Sequence, residues 1–192
     1  MADDAAQPEA PAGRFHVAVA PGELGFVQDL LNTAAVAGGR TSWPDLLDAP
    51  DTAAAWFQAA GLAGDSPGVR DFQLLRDTIR RVLIARDHGF PLDGALPPPI
   101  EVAAAVRLMP DGTVSVAPAS EGAAGLRARV LLAVRDAQLT GAWRRLKVCR
   151  NPECRVAFWD NSRNSSGVWH DVRTCGNVAN LRNSRARRVA RT

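Results

Sequence analysis

The sequence predicts a mainly α-helical chain with a small β-hairpin, closed by a short basic module that holds every cysteine. Three observations predict it. Four segments repeat apolar residues at helical spacing, one pair of alternating runs flanks a Pro-Asp-Gly turn, and Cys149, Cys154 and Cys175 all fall in the last quarter of 192 residues. An apolar content of 46% supports a real core.

In chain order, the leader 1–13 is Ala, Pro and acids and reads as disordered. "RFHVAVA" (14–20) alternates weakly and suggests a short strand ended by Pro21-Gly22. Phe26, Val27, Leu30, Leu31 and Ala34 share one face of a helix over 23–37, which Gly38-Gly39 would stop. Asp51 is placed to cap a helix through "TAAAWFQAAGL", ended by Gly61 and Gly64. A longer helix, about 68–88, turns Phe72, Leu75, Ile79, Val82 and Leu83 inward and Arg76, Arg80, Arg81 and Arg86 outward. A Pro-rich connector follows. "AVRLMPDGTVSVAP" then gives the clearest hairpin signal in the chain. The last helix of the body, 122–139, faces Leu126, Val130, Ala133, Val134 and Ala137 inward, and Gly141 separates it from the basic end. The organisation read is thus a leader (1–13), a mainly helical domain (14–140) and a basic terminal module (141–192).

Charge divides the same way. Residues 1–140 carry 11 Lys/Arg against 17 Asp/Glu, and residues 141–192 carry 12 against 3. An acidic body with a strongly basic end is the footprint of a polyanion-binding module, and charge alone fits a solvated tail that keeps the protein soluble equally well. The longest apolar runs, "VLIA" and "VLLAV", fall far short of the roughly 18–20 residues that cross a bilayer. The acidic start does not resemble a signal peptide, so a cytoplasmic location is expected and no membrane partner. Three cysteines are too few for a disulfide framework. There is no Gly-rich phosphate loop, nucleophile elbow or metalloprotease signature, and no enzyme activity is expected.

The cysteines stand as C-x4-C-x15-H-x4-C: Cys149, Cys154, His170 and Cys175. Two short pairs joined by a longer loop supply tetrahedral thiolate and imidazole ligands, so one structural Zn2+ is expected, with Val156, Phe158 and Trp169 covering it. A catalytic reading, with His170 activating Cys175, would leave two further cysteines at matched spacing without a role. Zinc would order residues 144–180 and leave the N-terminal domain largely independent of the metal.

These residues carry a resemblance. The segment 144–188, with "RLKVCRNPEC", "FWDNSRN", the Trp before the third ligand, "CGN" and a final Arg-rich stretch, resembles the CGNR zinc finger of bacterial stress-induced transcriptional regulators. Residues 14–140 resemble that family's helical ABATE domain, through "FVQDLLNT" and "AAAWFQAAGL". The resemblance implies a treble-clef-like finger. The family usually has cysteine at His170 and arginine at Val178. The first change makes the site Cys3His, with charge −1 in place of −2.

After Cys175, "GNVANLRNSRARRVART" reads as a turn and a helix with arginines around much of its surface. Arginine makes bidentate contacts to phosphate and guanine. Arg163, Arg173, Asn177, Arg182, Arg185, Arg187 and Arg188 are the candidate nucleic-acid contacts. DNA is the expected partner, and RNA would suit the same side chains. A second class of reading stays open at this point: a zinc-stabilised protein-interaction module whose helix docks on an acidic partner. Analogy with two-part regulators suggests a small-molecule effector at the N-terminal domain. The oligomeric state is not legible.

Overall fold

The computed structural model describes residues 14–34, 36–38, 41–62, 68–89, 98–178 and 180–181. Among these, the helices are α1 (Glu23–Asn32), α2 (Pro50–Ala59), α3 (Val69–His88) and α4 (Gly122–Thr140). Six strands among the described residues form three antiparallel pairs: β1 (Val36–Gly38) with β2 (Thr41–Trp43), β3 (Ala104–Leu108) with β4 (Val114–Pro118), and β5 (Leu146–Val148) with β6 (Ala157–Trp159). The mainly helical class with small sheets holds.

α3 and α4 match their sequence patterns almost to the residue, because each carries a long apolar stripe and ends on a glycine in the left-handed region, Gly89 and Gly141. The Pro-Asp-Gly hairpin also forms, pairing Ala104 with Pro118 through Leu108 with Val114. Three details differ. Helix α1 ends at Asn32, five residues early. Thr33 donates its hydroxyl to Leu30 O at 2.7 Å, its carbonyl accepts from Leu46 N at 2.8 Å, and the chain leaves to form β1. Asp51 is not a cap, since α2 starts at Pro50 with Ala49 before it. Residues 14–20 are not a strand. A 3-10 turn opens the segment, and Gln28 of α1 then acts as its partner strand, accepting from Ala20 N at 2.7 Å and donating to Ala18 O at 3.0 Å.

The core gathers Val27, Leu30 and Leu31 of α1, Trp56 and Phe57 of α2, Phe72, Leu75 and Leu83 of α3, and Val130 and Ala133 of α4. Phe57 and Phe72 meet edge-to-face at 4.9 Å, and Trp56 stacks on Phe26 at 5.7 Å. Two side chains of α3 depart from their expected faces. Val82 is exposed, whereas Arg76 is buried and ion-paired to Asp45 at 2.8 Å. A buried guanidinium is tolerable only with partners, and Thr33 Oγ1 and Asp77 supply the rest.

The same core continues past Gly141. Leu146, Val148 and Ala157, from β5 and β6, are fully buried members of it. Two polar residues on the buried face of α1 make the join. Asn32 donates to Ala157 O at 3.0 Å and accepts from Ala157 N at 2.9 Å, while Gln28 donates to the same carbonyl at 3.4 Å. Asn32 thereby satisfies an edge of β6 as a neighbouring strand would. From α3, Arg86 donates to Leu146 O at 2.7 Å, Arg80 to Arg155 O at 2.7 Å, and His88 Nε2 lies 3.1 Å from Val148 O.

Candidate metal centre

The β5–β6 hairpin builds the first half of the centre. Cys149 N donates to Val156 O at 2.8 Å, closing the ladder. The chain then turns so that Cys154 N and Arg155 N both reach Asn151 O, at 3.0 and 3.2 Å. Arg155 takes a left-handed φ of 57° to return the chain into β6. This turn brings Cys149 and Cys154 to one side of a common point.

The loop after β6 brings the other two ligands back. Asp160 anchors it, accepting from Ser162 N at 2.9 Å, Gly167 N at 2.7 Å and Lys147 Nζ at 2.7 Å. Burial pushes the Asp160 carboxyl up, but Lys147 and these amide donors outweigh it and hold the group well below the usual carboxylate range. Lys147 also donates to the carbonyls of Ser165 and Gly167, so its ammonium is fully used. Gly167 is required here, because a Cβ would lie 2.9 Å from the Asp160 carboxylate. Arg150 N then donates to Val168 O at 3.0 Å, which sets Trp169 and His170 against the hairpin.

Asp171 opens the final turn by accepting from Arg173 N at 2.7 Å. A π-helical turn, Val172–Gly176, carries Cys175 inward. Gly176 passes close to Trp169, whose Cδ1 lies 3.2 Å from where a Cβ would stand. That approach explains the glycine after the last ligand.

The ligand atoms of Cys149, Cys154, His170 and Cys175 all lie within 4.8 Å of one another. His170 Nδ1 is 3.3 Å from Cys154 Sγ and 3.7 Å from Cys175 Sγ. A tetrahedral zinc with bonds of about 2.3 Å to sulfur sets its ligand atoms about 3.8 Å apart, so the cluster fits one structural zinc. His170 turns Nδ1, the ring nitrogen nearer the backbone, toward the sulfurs. All three cysteines are free and buried. A hydrogen bond with Cys154 pulls the Cys149 thiol down, while that bond and burial push Cys154 up. Zinc would bind these groups as thiolates, displacing their protons.

Around the sulfurs, Asn151 Nδ2 points at Cys175 Sγ from 3.6 Å. Val156 and Trp169 pack on the cluster as expected; Phe158 is buried but lies outside it. The rest of the cover comes from the far end of the chain, Phe15, Val17 and Val36. Sequence spacing gave no sign of that. His88, one of two isolated histidines in sequence, sits between hairpin and body, with Nδ1 3.3 Å from Arg155 Nη1. Burial lowers its pKa despite the bond to Val148, and Arg155 lowers it further, so the ring is neutral with its proton on Nε2.

The predicted nucleic-acid contacts divide. Arg163 on the loop after β6, and Arg173 and Asn177 beyond His170, are exposed. Arg182, Arg185, Arg187 and Arg188 lie outside the described residues. Val178, where the motif's arginine would stand, is 39% exposed.

Two families match this chain. The CGNR zinc finger matches residues 145–188, and ABATE, described as "Putative stress-induced transcription regulator", matches residues 25–149. The chain belongs to the ABATE family. The ABATE match runs through β5 to Cys149, so it takes in the strand that shares the core and the first zinc ligand. No curated protein matches the chain. Among the described residues of this ABATE protein, no helix is long and apolar enough to cross a membrane.

Proposed function

We propose that this protein is a non-catalytic transcription regulator that binds duplex DNA through the outer surface of its zinc finger and the arginines that follow. One observation carries the reading. Arg144, Arg150, Arg163 and Arg173 are exposed and make no ion pair or side-chain hydrogen bond among the described residues. The inner basic residues of the finger are occupied: Arg145 donates to the carbonyls of Asp160 and Ser162, and Lys147 is buried on Asp160. Four free guanidinium groups on a rigid, metal-held frame, continued by Arg182, Arg185, Arg187 and Arg188, suit a phosphate backbone.

Zinc here is structural. It would fix the hairpin, the His170 segment and the Cys175 turn relative to one another and take no part in a reaction. Phosphate contacts of this kind carry little sequence information and depend steeply on salt. A mobility-shift series on random-sequence duplex tests the reading. The expected result is a shift at low salt whose affinity falls linearly on logarithmic axes as salt rises. No shift even at low salt would favour a protein-interaction module. A stronger shift with single-stranded or duplex RNA would reassign the partner.

A further inference from the structure

A cleft of about 500 Å3 lies where the end of α3 faces the loop after β6, between the helical body and the finger. That volume falls in the range of small-molecule sites, about 300–1,000 Å3. We infer that it binds a small molecule through an anionic headgroup of the phosphate type, bridging the two parts of the chain.

The wall chemistry carries the inference. Arg86, Arg144 and Lys147 line the cleft against a single carboxylate, Asp87, and His88 beside them is neutral. Arg86 holds both Asp87 oxygens, at 2.6 and 2.7 Å, and stacks on Trp143. Lys147 is consumed by Asp160 and two carbonyls. Both of these cations are neutralised in place by Asp87 and Asp160, which leaves one guanidinium, Arg144, exposed and without an ion pair among the described lining residues. The cleft also holds Ser165, whose Oγ is the one buried side-chain oxygen or nitrogen without a hydrogen-bond partner among the described residues. A buried hydroxyl without a partner is costly, and a bound acceptor would remove the cost. Ser165 is further held at a left-handed φ of 50° while its carbonyl accepts from Lys147. A left-handed φ and an unpartnered hydroxyl in one residue of a cleft that an unpaired arginine also lines describe a seat shaped for a ligand rather than a packing gap. A headgroup there would touch both α3 and the loop that leads to His170.

Calorimetric titration of the zinc-loaded full chain tests this, with inorganic phosphate, AMP and adenosine as probes. Phosphate and AMP are expected to bind saturably and adenosine not. Arg144→Ala, at an exposed position, should weaken AMP binding about tenfold. Ser165→Gly should weaken it severalfold without lowering thermal stability, because glycine takes that φ freely. The double variant Arg163→Ala/Arg173→Ala should bind AMP as the parent does. No saturable binding of either anion overturns the proposal, as does AMP binding that Arg144→Ala leaves unchanged. Should Arg144→Ala weaken a duplex-DNA shift while AMP fails to bind, the cleft seats a backbone phosphate and the small-molecule site is refuted.

Discussion

The body and the outer surface of the finger use the same residue, arginine, in opposite ways. In the body, Arg76 is buried on Asp45, Arg80 and Arg86 reach main-chain carbonyls, and Arg127 and Arg129 pair with Asp71 and Glu23. Each of these holds one element to another. In the finger, Arg144, Arg150, Arg163 and Arg173 hold nothing among the described residues and face solvent. An acidic body can neutralise its cations internally. A module with 12 basic residues against 3 acids cannot, and must leave charge for a partner. The difference separates a scaffold from a surface, even though one hydrophobic core runs through both.

That shared core makes the largest test. Chelating zinc should unfold the finger, since structural zinc sites contribute on the order of 10 kcal/mol to small domains. Because Leu146, Val148 and Ala157 are also core of the body, and Phe15, Val17 and Val36 cover the cysteines, the body should lose stability with it. Near-ultraviolet dichroism and thermal unfolding should show both parts responding together. A body transition unmoved by chelation would restore the picture of two independent parts that the sequence suggests.

Next come the buried polar joins. Lys147→Ala strands Asp160 and should cost about 3–5 kcal/mol by denaturant titration. Asn32→Leu leaves the Ala157 amide and carbonyl without their partner and should cost about 3 kcal/mol. Both should weaken zinc retention as well as folding, because each positions the hairpin that carries Cys149 and Cys154.

The outer arginines should behave in the reverse way. Arg163→Ala and Arg173→Ala should each change stability by less than about 0.5 kcal/mol. Each should flatten the slope of log affinity for DNA against log salt by about one. A stability loss as large as that of Lys147→Ala would erase the distinction between the two sets.

The smallest effect concerns pH. The folded state holds His88 below its ordinary value. Its contribution is therefore full above the unfolded value of about 6.5 and is lost as pH falls through the folded one. His88→Gln should be least different from the parent at acid pH and most different above neutrality, in urea unfolding across that window.

Much of this was legible in the sequence because it is local. α3, α4 and the β3–β4 hairpin follow from periodicity and turn chemistry within a few residues, and the four ligands from their spacing together with the confinement of every cysteine to that one segment. What was not legible depends on long-range partners. Residues 14–20 alternate like a strand, but Gln28 takes the place of a neighbouring strand. Arg76 looks like a surface arginine until Asp45 is brought to it. Gln28 and Asn32 already stood i, i+4 on an apolar face, a pattern that points to a buried polar partner. Only folding shows the partner to be Ala157, 125 residues from Asn32.

Elemental analysis of the full chain, purified under reducing conditions, reaches the centre of the account, with His170→Ala measured alongside. One equivalent of zinc in the parent and a clear loss in the variant are predicted. Less than about half an equivalent in the parent, or an unchanged content in the variant, would contradict a Cys3His centre as the element that orders the finger.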